Sequence, residues 1–293
     1  MRCTWTGGVR LSAPRAGDVN IPPSNTGAEL AFKLGRGFSV RCACFSNVIG
    51  GTEFGHVWLV PPGIVTVRFR PMKVRLLVAA VLALLPSRLH RLGGTLLLGW
   101  KVHPTAHLGH SIIGARRVTI GASAFIGTGN MIKGLDELTM GDESMISYLN
   151  WISGPPAGSG ALKHSPKRRP ALMMGRGAGI SGRHIIDCTD TVTFGEFATM
   201  GGYRSVIVTH SVDLIRNRQR SAPVTIGERS AVLSNVLIMA GTSVAPRSIV
   251  SAGSVVNTPL TKELTFYRGN PAEAVRELPE NLGYFVRTSP HVE

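Results

Sequence analysis

From residue 100 onward the chain places an aliphatic side chain at every sixth position. Ile120, Ile126, Ile132 and Leu138 form one series, and Met140, Ile146 and Ile152 continue it shifted by two. Ile180, Ile186, Val192, Phe194 and Met200 resume the beat after an interruption. Ile226, Val232, Ile238, Val244, Val250 and Val256 then run unbroken. Many of these positions are followed by glycine, as in Ile120-Gly121 and Ile226-Gly227. A helix drifts out of phase with period six within two repeats, and a simple alternating strand carries more inward apolar residues. A prism of three flat faces, each taking one hexapeptide, fits: the aliphatic points inward and stacks on its equivalent one coil away. The predicted class is all-β, a parallel β-helix with about eighteen residues per coil.

Two stretches break the beat. Residues 154–172, GPPAGSGALKHSPKRRPAL, are rich in Gly, Pro and basic residues and read as a loop leaving the prism. The second break begins at Thr209-His210-Ser211-Val212-Asp213, continues through LIRNRQRSAP and returns to rhythm at Val224. It sets a lone histidine where the chain leaves the flat face. Ahead of the repeats, Leu76–Leu85 is apolar but shorter than the ~20 residues a bilayer span needs. Pro86 ends it, and Arg88, His90 and Arg91 follow at helical spacing. An interfacial helix on an anionic membrane and a capping helix on the prism end both fit; a signal-peptide core fits less well, because no cleavage site follows. Residues 1–71 show no sustained period and read as a disordered extension, or as sequence upstream of a true start at Met72. The predicted organisation is therefore 1–71 as extension, 72–100 as helical segment, 101–258 as β-helix with its loop at 154–172, and 259–293 as closing segment and tail.

Composition changes this picture little. The 35 glycines and only 17% charged residues among 293 suit tight turns and strands. The net charge of +15 suits an anionic partner, but few aromatics and no base-reading basic helix argue against nucleic acid. Cys3, Cys42, Cys44 and Cys188 have neither disulfide-framework nor zinc spacing, which points to a reducing compartment and no metal.

With Ser251-Ala252-Gly253-Ser254-Val255-Val256 and Tyr267-Arg268-Gly269-Asn270-Pro271-Ala272 at its end, the region from about 100 to 278 resembles the hexapeptide-repeat acyltransferases. It looks most like the colanic acid, capsule and exopolysaccharide O-acetyltransferases, which often carry a short N-terminal helix ending in a Leu-Pro-Ser-Arg-like sequence, as at 85–88. The resemblance implies a left-handed β-helix, acetyl-CoA as acyl donor without a metal, a carbohydrate acceptor and a homotrimer. The cysteine pattern and the N-terminal helix lead to an expected cytoplasmic location, at the inner face of the membrane if the helix is interfacial. His210 matches the family's general base, with Asp213 or Glu196 open as the group that orients it. Arg183, His184 and Asp187 are implied acceptor contacts, with a structural role in the corner of a coil equally open; Ser234, Ala252, Asn257 and Arg276 are implied coenzyme A contacts. Relatives often have Thr-Lys where Asn257-Thr258 stands here, which weakens the cofactor assignment at that point.

Direct transfer needs a base for the acceptor hydroxyl, donors for the oxyanion and both reactants held in line. Imidazole suits the first task. Two other readings compete: an N-acetyltransferase on an amino sugar or amino acid, and a non-catalytic β-helix scaffold, which needs no projecting base. A metalloenzyme of the γ-carbonic anhydrase type is excluded by the absence of a His-x4-His pair.

Overall fold

The structure, a computed structural model, describes residues 72–160 and 162–290 together with five short strands nearer the N-terminus. It divides into two compact units, residues 1–52 and 53–293. In the first unit Phe38–Ala43 pairs antiparallel with both Thr4–Thr6 and Glu29–Leu34. In the second, Val57–Val60 and Ile64–Val67 form a hairpin. The hydrophobic periodicity did not show these strands. The remainder of the expectation for 1–71 lies outside the described residues.

The repeat region is an all-β parallel β-helix. Strands on its three faces recur in the order one, two, three, and each pairs in parallel with the strand one coil away. Face one runs from Lys101–Val102 to Ser243–Val244, face two from His107–Leu108 to Ile249–Val250, and face three from Ile112–Gly114 to Val255–Val256. The inward residues stack in register. On face three Ile113, Ile132, Ile152, Ile186, Ile207, Ile238 and Val256 lie one above another, all fully buried. Each stacked aliphatic loses its whole surface to water, roughly 2 kcal/mol apiece.

The two-residue phase shift has a physical cause. In the middle coils, face one carries two inward positions instead of one. Leu138 and Met140 are both buried there, as are Val192 and Phe194. A longer first face lengthens the coil by two residues and leaves the other faces unchanged.

The corner between faces two and three is held by a polar ladder. Asn130 Oδ1 accepts from Asn150 N (2.9 Å), Asn150 Oδ1 from His184 N (2.9 Å), and His184 Nδ1 from Ser205 N (3.1 Å). Ser205 Oγ accepts from Val236 N (3.1 Å), so a corner N–H in each coil finds a side chain.

Two helices close the N-terminal end: α1 (Met72–Leu82) and α2 (Ser87–Leu98). They bury Ala79, Leu82, Leu98 and Trp100 on the first coil. Arg75, buried with them, donates from Nη2 to the carbonyls of Leu98 and Arg116, both at 3.0 Å. At the other end Thr265–Arg268 joins face two in parallel, and Glu273–Glu277 adds antiparallel to it.

Candidate active site

Both excursions leave the prism from the end of face three, before face one of the next coil. After Trp151–Ser153 the chain exits at Gly154, whose backbone lies so close to Cys188 that a Cβ would fall 2.3 Å from the Cys188 carbonyl oxygen. The loop it enters is tied down. Arg168, buried, donates from Nη1 to Pro155 O (2.5 Å) and Thr189 O (3.1 Å), and from Nη2 to Pro156 O (2.7 Å).

The second exit follows Val206–Ile207. His210–Asp213 and Arg218–Ser221 pair antiparallel as a hairpin that projects from the coil, with Leu214 and Ile215 exposed at its tip. Its base is fixed to both neighbouring features: Ser221 N donates to Ser165 Oγ of the first loop (2.9 Å), and Ser221 Oγ to Asp190 Oδ2 (2.9 Å).

His210 stands at this base. Its Nδ1 lies 2.7 Å from Asp187 Oδ2, and a carboxylate partner makes that nitrogen the N–H donor. Nε2 is therefore the free base, on a side chain 43% exposed, beside a carboxylate only 18% exposed. Asp187 is itself held from every side. Thr189 donates to Oδ1 from both N (3.0 Å) and Oγ1 (2.5 Å), and Thr209 N donates to Oδ2 (2.8 Å). Burial alone raises such a carboxyl. The hydrogen bonds from Thr189, His210 and Thr209 outweigh it and hold Asp187 below the usual carboxylate value. An ionised carboxylate that fixes ring orientation and tautomer can also stabilise the imidazolium formed when Nε2 takes a proton.

Asp187 is thus the partner of the histidine, and neither Asp213 nor Glu196 is. Asp213 lies farther along the hairpin and pairs with Arg220 (2.7 Å) and Arg216 (3.2 Å). Glu196 makes no bond to the ring. The link was readable in principle: Ile186 pairs with Ile207 across one coil, which sets Asp187 beside Val208-Thr209-His210. Thr189 and Thr209 carried no sequence signal that marks them.

The implied acceptor contacts divide. Asp187 belongs to the histidine. Arg183 is exposed at the corner with φ +62°, a left-handed conformation costly for a side chain with a Cβ. His184 is fully buried, a correction to its expected place on an acceptor surface. Its Nδ1 accepts from Ser205 N, so Nε2 carries the proton and donates to Ser181 Oγ (3.0 Å). Burial pushes its pKa down to about 4, and the imidazole stays neutral as a rung of the ladder.

The implied coenzyme A contacts are spread over the last coils. Ser234 and exposed Ala252 occupy the same corner in successive coils, where Gly253 N donates to Ser234 O (3.0 Å). A Cβ on Gly253 would meet nothing within 4 Å, so that corner is open to a thin chain. Asn257 is exposed at the end of face three. Arg276 lies apart, on the antiparallel strand over face two, with its guanidinium 5.4 Å from the Phe266 ring centroid. Among the described residues, no group of three His, Cys, Asp or Glu side chains could hold a metal ion. Cys188 is fully buried, and burial raises its thiol well above the ordinary value.

No family model and no curated protein matches the chain. Solved structures similar to it include hexapeptide-repeat transferases and other acyltransferases. A hexapeptide-repeat acetyltransferase of Vibrio cholerae, complexed with acetyl coenzyme A, is 18% identical with a TM-score of 0.39, over 71% of this chain and 88% of its own. An N-acyltransferase variant of Bacillus cereus, in complex with dTDP-4-amino-4,6-dideoxyglucose and coenzyme A, is 12% identical with a TM-score of 0.40, over 53% and 83%. A polysialic-acid-specific acetyltransferase is 16% identical with a TM-score of 0.37, over 61% and 80%. At these identities and scores the likenesses say nothing of what this chain binds or acts on.

Proposed function

We propose that the chain is an acetyl-CoA-dependent O-acetyltransferase acting on a hydroxyl of a sugar or exopolysaccharide intermediate. The observation that carries this reading is the His210–Asp187 pair: a base with one nitrogen held by an ionised carboxylate and the other free, set where the chain leaves face three for the projecting hairpin. Nε2 takes the proton of the acceptor hydroxyl as its oxygen attacks the thioester carbonyl. Asp187 stabilises the imidazolium, which returns the proton to the departing thiolate. Backbone N–H groups of a neighbouring coil serve the developing oxyanion. The transfer is direct, because Cys188 is buried and protonated and cannot carry an acyl group.

The donor groove in this reading runs along the open corner at Ser234 and Ala252 towards Asn257 and Arg276. The tetrahedral step needs acceptor and donor on one side of His210, and a homotrimer with sites between subunits provides this. Exposed Tyr148, Leu149 and Tyr203, clustered at the corner between faces two and three, support such a contact.

The helical end supports a place at the inner surface of a membrane. Leu77, Val81 and Leu84 form an exposed stripe on and just beyond α1; Leu89, Leu92 and Leu96 form another on α2. From residue 72 to 135 the chain has no Asp or Glu, while Lys73, Arg88, Arg91 and Lys101 lie near these stripes. Apolar stripes rimmed by unopposed cations suit an anionic lipid surface. Among the described residues no helix is long and apolar enough to cross a membrane.

The test is thiol release from acetyl-CoA by the full chain and by His210→Ala, over a panel of mono- and oligosaccharides. Acceptor-dependent release that drops at least ~100-fold in the variant supports the reading. Equal rates in the two proteins would sink it.

A further inference from the structure

Face three presents an exposed aromatic beside the His210–Asp187 pair that the chemistry above does not use. Trp151, Ile185 and Val206 are the outward residues of three successive coils, paired in register; Lys133, Ser153 and Asp187 form the neighbouring outward column. Trp151 is 44% exposed, whereas Trp100 at the capped end is 2% exposed. Leaving a large ring in water is unfavourable unless something covers it. The ring is also held. Its Nε1 donates to Ser153 Oγ (3.0 Å), and Lys133 Nζ lies 4.4 Å from its centroid. Lys133 has no ion pair among the described residues, so its cation is engaged by the ring face alone. One coil and two residues separate Trp151 from Asp187, roughly 8 Å of backbone at ordinary sheet spacings. The loop that begins at Gly154, next to Ser153, carries exposed Lys163 and Lys167.

Resting on the transferase reading, we propose that this surface is the acceptor subsite: Trp151 stacks on a saccharide ring, and Lys133 selects a saccharide bearing a carboxylate or similar anionic group. The apolar C–H face of a pyranose matches an indole held flat by its N–H. A carboxylate on that sugar draws the ammonium off the ring, exchanging a cation–π contact for a charge-assisted hydrogen bond. The geometry places the next sugar of the same glycan at Nε2 of His210.

Saturation-transfer NMR of the full chain, without coenzyme A, tests this with an oligogalacturonate and a neutral malto-oligosaccharide. The expected result is transfer to ring C–H protons of the oligogalacturonate. Binding weakens about 10-fold or more in Trp151→Ala and is largely kept in Trp151→Phe. Lys133→Gln removes the preference for the charged glycan. Because binding is read without turnover, it can hold even if thiol release fails, and fail even if thiol release succeeds. Three results overturn the proposal: no binding of either glycan, undiminished binding by a folded Trp151→Ala, or sedimentation showing that Trp151→Ala instead dissociates an oligomer with binding intact.

Discussion

Two histidines, His184 and His210, lie in adjacent coils of the same prism and have opposite fates. At His184 the coil keeps its register, and the side chain turns inward as a rung between Asn150 and Ser205, with both nitrogens occupied. At His210 the chain has just left face three, and the side chain meets solvent with one nitrogen bonded and one free. The residue type is the same; the difference is whether the backbone stays in the ladder. Here the ring that stays in the ladder is buried, and the ring that follows the break meets solvent.

The sharpest way to break this contrast is to remove each ring. His210→Ala should lower acceptor-dependent thiol release by about 10²–10⁴-fold while leaving the melting temperature within a few degrees, by calorimetry. Asp187→Asn should cost about 100-fold in kcat with little change in the acetyl-CoA KM, because the ring loses the carboxylate that fixes its tautomer. A KM effect alone would mean that Asp187 touches the substrate instead.

His184→Ala should act on stability and not on chemistry. It leaves the Ser205 N–H buried without an acceptor and opens a cavity, for a loss of about 3 kcal/mol in denaturant unfolding. His184→Asn, which copies the Asn130 and Asn150 rungs, should restore most of that loss. If it lowers activity at unchanged stability, the histidine contacts an acceptor after all.

The same ring predicts a pH window. The folded His184 stays neutral down to about 4, whereas an unfolded histidine protonates near 6.5. Between those values the unfolded chain binds a proton that the folded chain refuses, so stability falls as pH drops through the window. The full contribution is up to about 3 kcal/mol. Asp187, held low when folded, adds to the loss at still lower pH. Unfolding midpoints at pH 7 and pH 4.5 should differ less in His184→Asn.

The smallest expected effect concerns the capped end. Leu84→Ser with Leu92→Ser should weaken co-sedimentation with anionic vesicles several-fold and leave thiol release from soluble acceptors unchanged. Unaltered vesicle binding would assign the exposed leucines to another partner.

The fold was legible because a period of six can be satisfied by few backbones, and six consecutive matches from Ile226 to Val256 leave little room for another. The histidine at the second break was legible for the same reason, since a strict repeat makes its own interruptions visible. The partner of that histidine was not. Asp213 looked suitable because it is close in sequence, but an antiparallel hairpin carries it away from His210 and gives it to Arg216 and Arg220. Asp187, 23 residues earlier, comes beside the ring because stacking one coil on the next places Ile186 against Ile207.

What the amino-acid order alone determined was the repeat, the places where it breaks and the residue types set there, because these depend on local spacing and burial along one chain. The tertiary structure decided which carboxylate holds His210, that His184 is a buried rung, and that Trp151 is exposed on the face that bears Asp187. Those outcomes depend on which residues the coil register brings side by side across some twenty positions of sequence, and on whether a corner closes or opens around each one.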